Sequence, residues 1–224
     1  MKRTLVISDI HGELELFEEL LQQAEYDAAE DQLILLGDYV DRGPDSRGVL
    51  ERVIELKKLG AIVLSGNHDA MMLAAAKGEP AALERWARNG AIPTLQSYDP
   101  SIKEAGLPET ETFWNHVAFI GELGFFHETD DTIFVHAGVQ PGTPVQETDP
   151  YILIWIREEF YEAYEGEKTV VFGHTPAFLL RPGGGNDIYF GGNNIIGIDG
   201  GAAYGGQLNC LELPSRKRYF VEKP

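Results

Sequence analysis

The stretch LILLGDYVDRGPDSRG, residues 33–48, runs from an apolar strand into a glycine turn that carries Asp38, Asp41 and Arg42. Carboxylates held close together repel, and each resists ionisation unless a cation lies between them. The chain is already acidic, with 36 Asp plus Glu against 18 Lys plus Arg and a formal charge of −18. Two more carboxylates beside a buried strand end therefore ask for positive charge that the local sequence does not supply.

Working outward, residues 4–7 (TLVI) read as a strand and residues 13–25 as a helix, with Leu14, Phe17 and Leu21 on one face. LILL (33–36) is the next strand. It is followed by a helix with Pro44 near its start and Val49, Val53 and Leu56 at helical spacing. AIVL (61–64) is a third strand, and a helix runs through MMLAAA. A β-α-β-α-β opening implies a parallel sheet with right-handed crossovers. Residues 82–114 then mix short helical runs with Pro93, Pro100 and Pro108 and read as a cap or lid insertion, around 78–115, within one domain spanning 1–224. The second half is strand-rich (GFFHE, TIFVH, TVVFGH, DIYF, NIIGID, QLNCLEL, KRYFVE), and its closing strands read as antiparallel hairpins. GGAAYGG (200–206) follows a strand but precedes another strand, so it is not a dinucleotide fingerprint.

The charge argues against nucleic acid or an anionic membrane as partner, since both need basic patches. The single cysteine, Cys210 in LNCLEL, excludes an intrachain disulfide and reads as a buried structural thiol. The apolar stretch after MKR is too short for a signal-peptide core, and no apolar run reaches membrane-spanning length, so the expected location is the cytoplasm.

Nearly every core strand ends in a potential metal ligand: TLVISDIHG, LILLGDYVDRG, AIVLSGNHD, TIFVHAG, TVVFGHT and NIIGIDGG. Ligands of α/β sheets bind outside the carboxyl ends of the strands. Six such ends on one sheet edge gather Asp9, His11, Asp38, Asp41, Asn67, His68, His136, His174 and Asp199, and leave out His116 and His127. Taken singly, each motif is more often a turn or a structural histidine; taken together they require six coincidences. In an extended segment Asp9 and His11 point to one side and can share a cation. Asp38 and Asp41, three apart across a turn, need not meet the same atom. Asn67 and His68 diverge if the backbone is extended, so a metal-bound Asn67 leaves His68 free for substrate.

DIHG, GDYVDRG, GNHD, VHAG and GHT, in this order between residues 9 and 176, resemble the calcineurin-like metallophosphoesterases. GDYVDRG together with LIWIREEF resembles the serine/threonine phosphoprotein phosphatase branch, especially its short bacterial members. The resemblance implies an α/β (in some schemes α+β) fold, a four-layer α/β/β/α sandwich of mixed sheets with helices outside. It implies that Asp9, His11 and Asp38 hold one metal and that Asp38 bridges to a second, bound also by Asn67, His136 and His174. His68 protonates the leaving oxygen, oriented by Asp41, and Arg42 and Arg157 clamp the phosphate alongside Asn67 and His68. Asp199 lies behind the ligands, toward His174.

That arrangement answers the question the turn raised. Two carboxylates against two divalent cations and two arginines leave a positive pit in an acidic protein, suited to a phosphate dianion. The resemblance implies direct in-line attack by a metal-bridging hydroxide between cations about 3.5–4 Å apart, with His68 as general acid and paired arginine donors on the phosphate. The N/O ligand set admits Mn, Fe, Zn or Co, and its carboxylates favour manganese. The substrate is then a phosphorylated protein or a small phosphoester. The nearest rival is a symmetrical dinucleoside polyphosphate hydrolase, toward which GNHD leans in place of GNHE. GDYVDRG leans back, because those hydrolases typically lack the aspartate at the position of Asp41. A non-catalytic metal-binding scaffold would be expected to lose His68 or a bridging ligand, and here the set is complete.

Overall fold

A computed structural model describes residues 2–224. In chain order its elements are β1 (Arg3–Ile7), α1 (Leu14–Gln23), β2 (Asp31–Leu35), α2 (Ser46–Lys58), β3 (Ile62–Val63), α3 (Asn67–Ala76), α4 (Ala82–Arg88), α5 (Ala91–Tyr98) and α6 (Glu111–Ile120). The second half adds β4 (Phe126–Glu128), β5 (Thr132–Val135), α7 (Pro150–Trp155), α8 (Glu158–Tyr161), β6 (Thr169–Phe172), α9 (Ala177–Leu180), β7 (Tyr189–Phe190), β8 (Ile195–Gly197), β9 (Gln207–Leu213) and β10 (Arg218–Glu222).

The strands form two five-stranded sheets, β10-β9-β1-β2-β3 and β4-β5-β6-β8-β7. The β-α-β-α-β opening is parallel, with Leu5 opposite Leu33 and Leu35 opposite Val63. The second sheet has its own parallel centre in β5, β6 and β8. Of the closing strands, β7 pairs antiparallel with β8 and β9 with β10, but the two hairpins lie in different sheets. The six motif-bearing strands are therefore shared three and three between two sheets, and the expectation of a single sheet edge is corrected.

Strand alternation builds the layers. Successive side chains of a strand point to opposite faces. Leu5, Ile7, Leu33 and Leu35 pack with Phe17, Val53 and Leu56 of α1 and α2 on the outer face of the first sheet. Their neighbours Val6, Ile34 and Leu36 turn inward to meet Phe134, Val171 and Ile196 of the second sheet. On the far side Val135, Val170 and Phe172 pack against Leu153 and Phe160 of α7 and α8. Apolar runs such as TLVI and LILL are continuous because both their faces are covered. The result is the expected α/β/β/α sandwich.

The segment expected as a cap forms α4, α5 and the start of α6. Trp86, Leu95 and Phe113 are fully buried in the outer helical layer. Cys210 is buried in β9, and burial pushes its thiol up to about 12, which leaves it an inert thiol. Among the described residues no helix is long and apolar enough to cross a membrane.

Candidate metal centre and phosphate cleft

Two glycine contacts bring the first-sheet ends together. Gly37 adopts a φ of 112°, and a Cβ there would collide with the backbone of Gly66. A Cβ on Gly66 would in turn strike the Asp38 carboxylate. Only glycine permits this approach, and it lets the Gly-Asp and Gly-Asn turns lie back to back. Asp69 locks them: its buried carboxylate accepts N–H bonds from Gly66 (2.9 Å), Asp38 (2.8 Å) and Tyr39 (3.1 Å). Burial first, then the nearby Asp38 charge, raise the Asp69 carboxyl to about 7.

Asp9, His11, Asp38, Asp41, Arg42 and His174 all have positive φ, between 46° and 77°. Such backbone costs about 1–3 kcal/mol per residue and clusters where function needs it. The extended geometry expected for Asp9 and His11 is thereby corrected, with φ at 55° and 46°. Their side chains still reach one cleft, because the chain coils rather than alternates. The extended backbone expected for Asn67 and His68 is corrected as well. They are the first two residues of α3.

One cleft, of about 80 Å³, is lined by Asp9, His11, Asp38, Arg42, Asn67, His68, His174 and Asp199, with Asn89, Trp155, Arg157 and Tyr204 at its sides. His136 lies fully buried among them, 3.0 Å from Asn67 Oδ1 and 3.5 Å from Asp38 Oδ2. The two sheets are tied here: the His136 ring donates from Nδ1 to Leu36 O at 3.1 Å, and His174 N–H donates to Asp9 Oδ2 at 2.9 Å. Asp38, with His11 and His68 on one side and His136 and His174 on the other, belongs to two groups whose ligand atoms lie within 4.8 Å of one another.

The electrostatics ask for cations. Burial raises the Asp9 carboxyl, and the Asp38 charge adds to it. Burial acts the same way on Asp38, but His136 and the other rings around it outweigh burial and hold Asp38 well below the usual carboxylate range. Burial would lower His136, yet the Asp38 and Asp9 charges overcome it and push the ring up to about 9. Burial carries His11 down to about 3 and His174 well below the ordinary histidine value, so both present neutral nitrogens. The buried Nε2 of His174 has no hydrogen-bond partner among the described residues. An orphaned lone pair facing a carboxylate and a second imidazole fits a metal ligand. The donor set of Asp, His and Asn suits a borderline divalent ion.

Asp41 stands apart from the two groups of possible ligands, as its spacing from Asp38 allowed. Its Oδ2 holds His68 Nδ1 at 2.6 Å, so His68 turns Nε2 toward the cleft. Arg42 donates to that Nε2 at 2.9 Å and to His11 Nε2 at 2.8 Å, with its guanidinium 4.9 Å from the Tyr204 ring. Arg157 also reaches the cleft, donating to Thr175 Oγ1 at 3.4 Å. The single helical face expected over Ile152, Trp155, Ile156 and Phe160 is corrected. The helix stops at Trp155, Ile156 turns extended, and Arg157 caps α8. Asp199 lines the cleft, but its carboxylate accepts the Gly201 N–H at 2.8 Å rather than pairing with His174.

Trp86, Thr94, Asn89, Asp69, Trp155 and Tyr204 were not anticipated as site residues. Only Asp69 carried a local signal, an acid three residues into a helix that starts at a glycine. Trp86 and Thr94 meet Asp41, and Tyr204 meets Arg42, only across long stretches of chain.

Residues 2–204 match the family profile of calcineurin-like phosphoesterases. The chain is 28% identical over 216 residues to serine/threonine-protein phosphatase 1 of Salmonella typhimurium, covering 93% of this chain and 90% of that one. It is 26% identical to the asymmetrical bis(5'-nucleosyl)-tetraphosphatase PrpE of Bacillus velezensis, covering 97% and 91%. It is 32% identical over 144 residues to the symmetrical bis(5'-nucleosyl)-tetraphosphatase of Nitrosomonas europaea. That match covers 64% of this chain and less than half, 47%, of the relative. In fold, it superposes on a solved structure provisionally described as a diadenosine tetraphosphatase with a TM-score of 0.74 at 24% identity, covering 100% and 94%. A serine/threonine phosphatase from Saccharomyces cerevisiae superposes at 0.67 with 12% identity, covering 100% and 80%.

Proposed function

The chain belongs to the calcineurin-like phosphoesterases, and from that premise we propose that it is a dinuclear-metal phosphomonoesterase of the serine/threonine protein phosphatase type, acting in the cytoplasm. Asp9, His11 and Asp38 would hold one cation, and Asp38, Asn67, His136 and His174 the other, with manganese the favoured metal. When bound, such cations supply Lewis acidity toward phosphoryl oxygens and lower the pKa of water. The side chains of the protein do the rest. Arg42 and Arg157, which both line the cleft, would offer charged donors to the phosphate. At about 80 Å³ the cleft is far smaller than a typical small-molecule pocket of 300–1,000 Å³. That size suits a phosphoryl group with the rest of its substrate outside.

The observation that carries this reading is the 2.6 Å bond between Asp41 and His68. The carboxylate accepts from Nδ1 and fixes the ring, so that Nε2, which accepts from Arg42 in this structure, is the nitrogen that would carry a proton to the leaving oxygen once Arg42 engages the phosphate. A serine or threonine alkoxide is a poor leaving group and needs that proton; a departing nucleotide phosphate needs it far less. His68→Asn should lower kcat by roughly 10²–10⁴, and more for phenyl phosphate than for p-nitrophenyl phosphate. Equal losses on the two esters would mean that His68 only positions substrate. A second reading, hydrolysis of a dinucleoside polyphosphate, is favoured by aromatic faces at the cleft mouth. Tyr204 is exposed there, and Trp155 stacks on exposed Tyr151 with ring centroids 5.9 Å apart.

A further inference from the structure

Trp86 of α4 and Thr94 of α5 are completely buried, yet each directs its one side-chain polar group at the Asp41 carboxylate. The Trp86 indole N–H donates to Oδ1 and Oδ2, both at 2.9 Å. The Thr94 hydroxyl donates to Oδ1 at 2.8 Å and accepts the Asp41 backbone N–H at 2.8 Å. Between the two, the Gly90 carbonyl accepts the Arg42 backbone N–H at 3.0 Å. Packing alone does not explain this. An aromatic ring and a valine would fill the same space, and a buried carboxylate is costly unless it is fully hydrogen-bonded. Asp41 also sits at a φ of 77°, a conformation that persists only where its surroundings over-determine it. Two donors from two elements beyond α3, the indole N–H shared between both oxygens and the hydroxyl on one, with the His68 ring as the remaining partner, fix both the position and the plane of the carboxylate.

We propose that Trp86 and Thr94 are positioning residues for the Asp41–His68 pair. The segment expected as a lid is thus part of the catalytic apparatus: it aims Asp41, and Asp41 sets the rotation of the His68 ring over the cleft. The inference rests on the reading of His68 as proton donor.

The test uses the full-length, metal-loaded protein. Trp86→Phe keeps the aromatic packing and removes the donor; Thr94→Val keeps the shape and removes the hydroxyl. Each should lower kcat by about 10–100-fold, the usual cost of losing an outer partner of an active group, with KM within about twofold, a smaller change than the tenfold shift that a lost charged contact brings. The loss should be larger for phenyl phosphate than for p-nitrophenyl phosphate, and Thr94→Ser should recover most of what Thr94→Val loses. In an Asp41→Asn background neither substitution should lower kcat further. Losses equal on the two esters, or fully additive with Asp41→Asn, would overturn the proposal. If Trp86→Phe fails to fold, the Thr94 pair carries the same test. A readout independent of turnover is the indole ¹⁵N–¹H resonance of Trp86, which should move on Asp41→Asn while that of Trp114, exposed on α6, stays. An unmoved Trp86 signal in an active protein overturns the clamp alone. A wild-type protein without phosphoesterase activity overturns the function and the catalytic role together.

Discussion

Asp38 faces imidazoles on two sides and sits at a φ of 58°, so its substitution is informative at the scale of one side chain. Asparagine tolerates the left-handed region nearly as well as aspartate, so Asp38→Asn removes the charge without forcing the turn open. Both cation sites should weaken, and metal analysis of the purified variant should show clear loss; two metals retained per chain would exclude Asp38 as a bridge. Asp41→Asn should give a smaller defect in turnover than His68→Asn, with the same dependence on leaving group. At this scale the residues that gather at the cleft were legible, because Asp, His and Asn at strand ends are chemically conspicuous. The backbone beneath them was not. Nothing in ISDIHG announces that Asp9 and His11 adopt left-handed φ, with their N–H groups bonded to the Gly37 and Asp38 carbonyls of a turn much further along the chain. Nor could spacing reveal Trp86 and Thr94, which lie 45 and 53 residues from Asp41 and meet it only through tertiary packing.

Elements place these groups, and two of them can be tested. The break between α7 and α8 puts Arg157 at a helix start instead of on an outward face, and among the described residues it makes no ion pair with Glu158, Glu159 or Glu162. Arg157→Ala should raise KM for phosphomonoesters by the worth of a lost charged hydrogen bond, about 1.5–3 kcal/mol or at least tenfold. Steady-state kinetics that leave KM unchanged would remove Arg157 from the phosphate site. Continuous apolar periodicity hid this break, because Ile156 and Phe160 are apolar on both sides of it. At the start of the first sheet's central strand, Arg3 in β1 forks onto Asp31 in β2 through bonds of 2.8 and 2.6 Å, and it reaches Glu212 of β9 at 3.4 Å. The Arg3 bonds hold the Asp31 carboxyl below its ordinary value. A carboxyl lowered in the folded state adds stability above the unfolded pKa, and that increment is lost as pH falls through the folded value. The stability gap between wild type and Asp31→Asn, about 1 kcal/mol for a partly exposed bidentate pair, should therefore be full at pH 7. It should close below about pH 4, the ordinary carboxylate value. Urea unfolding at both pH values checks it; a gap that is constant with pH contradicts the assignment.

The whole molecule is two sheets pressed together so that two sets of strand ends share one cleft. The inter-sheet layer of Val6, Ile34, Phe134 and Val171 sets that alignment. Phe134→Ala should cost about 3–5 kcal/mol, read as a shift in the urea midpoint, and a cost below 1 kcal/mol would mean the layer is not close-packed. The motifs brought the sandwich in through the family they resemble, while the apolar runs by themselves indicated only a parallel opening sheet and closing hairpins. The assignment of strands to one sheet or the other was not legible, because TIFV and LILL have the same pattern and only long-range pairing separates them. The largest claim at this scale is that the cleft and the Asp41–His68 pair suit an alkyl phosphomonoester. The direct measurement is kcat/KM of the manganese-loaded protein for a phosphothreonine peptide and for diadenosine tetraphosphate under identical conditions. The peptide should be hydrolysed faster, with the preference reduced in Arg157→Ala; faster hydrolysis of diadenosine tetraphosphate than of any phosphopeptide or small monoester would contradict a protein phosphatase.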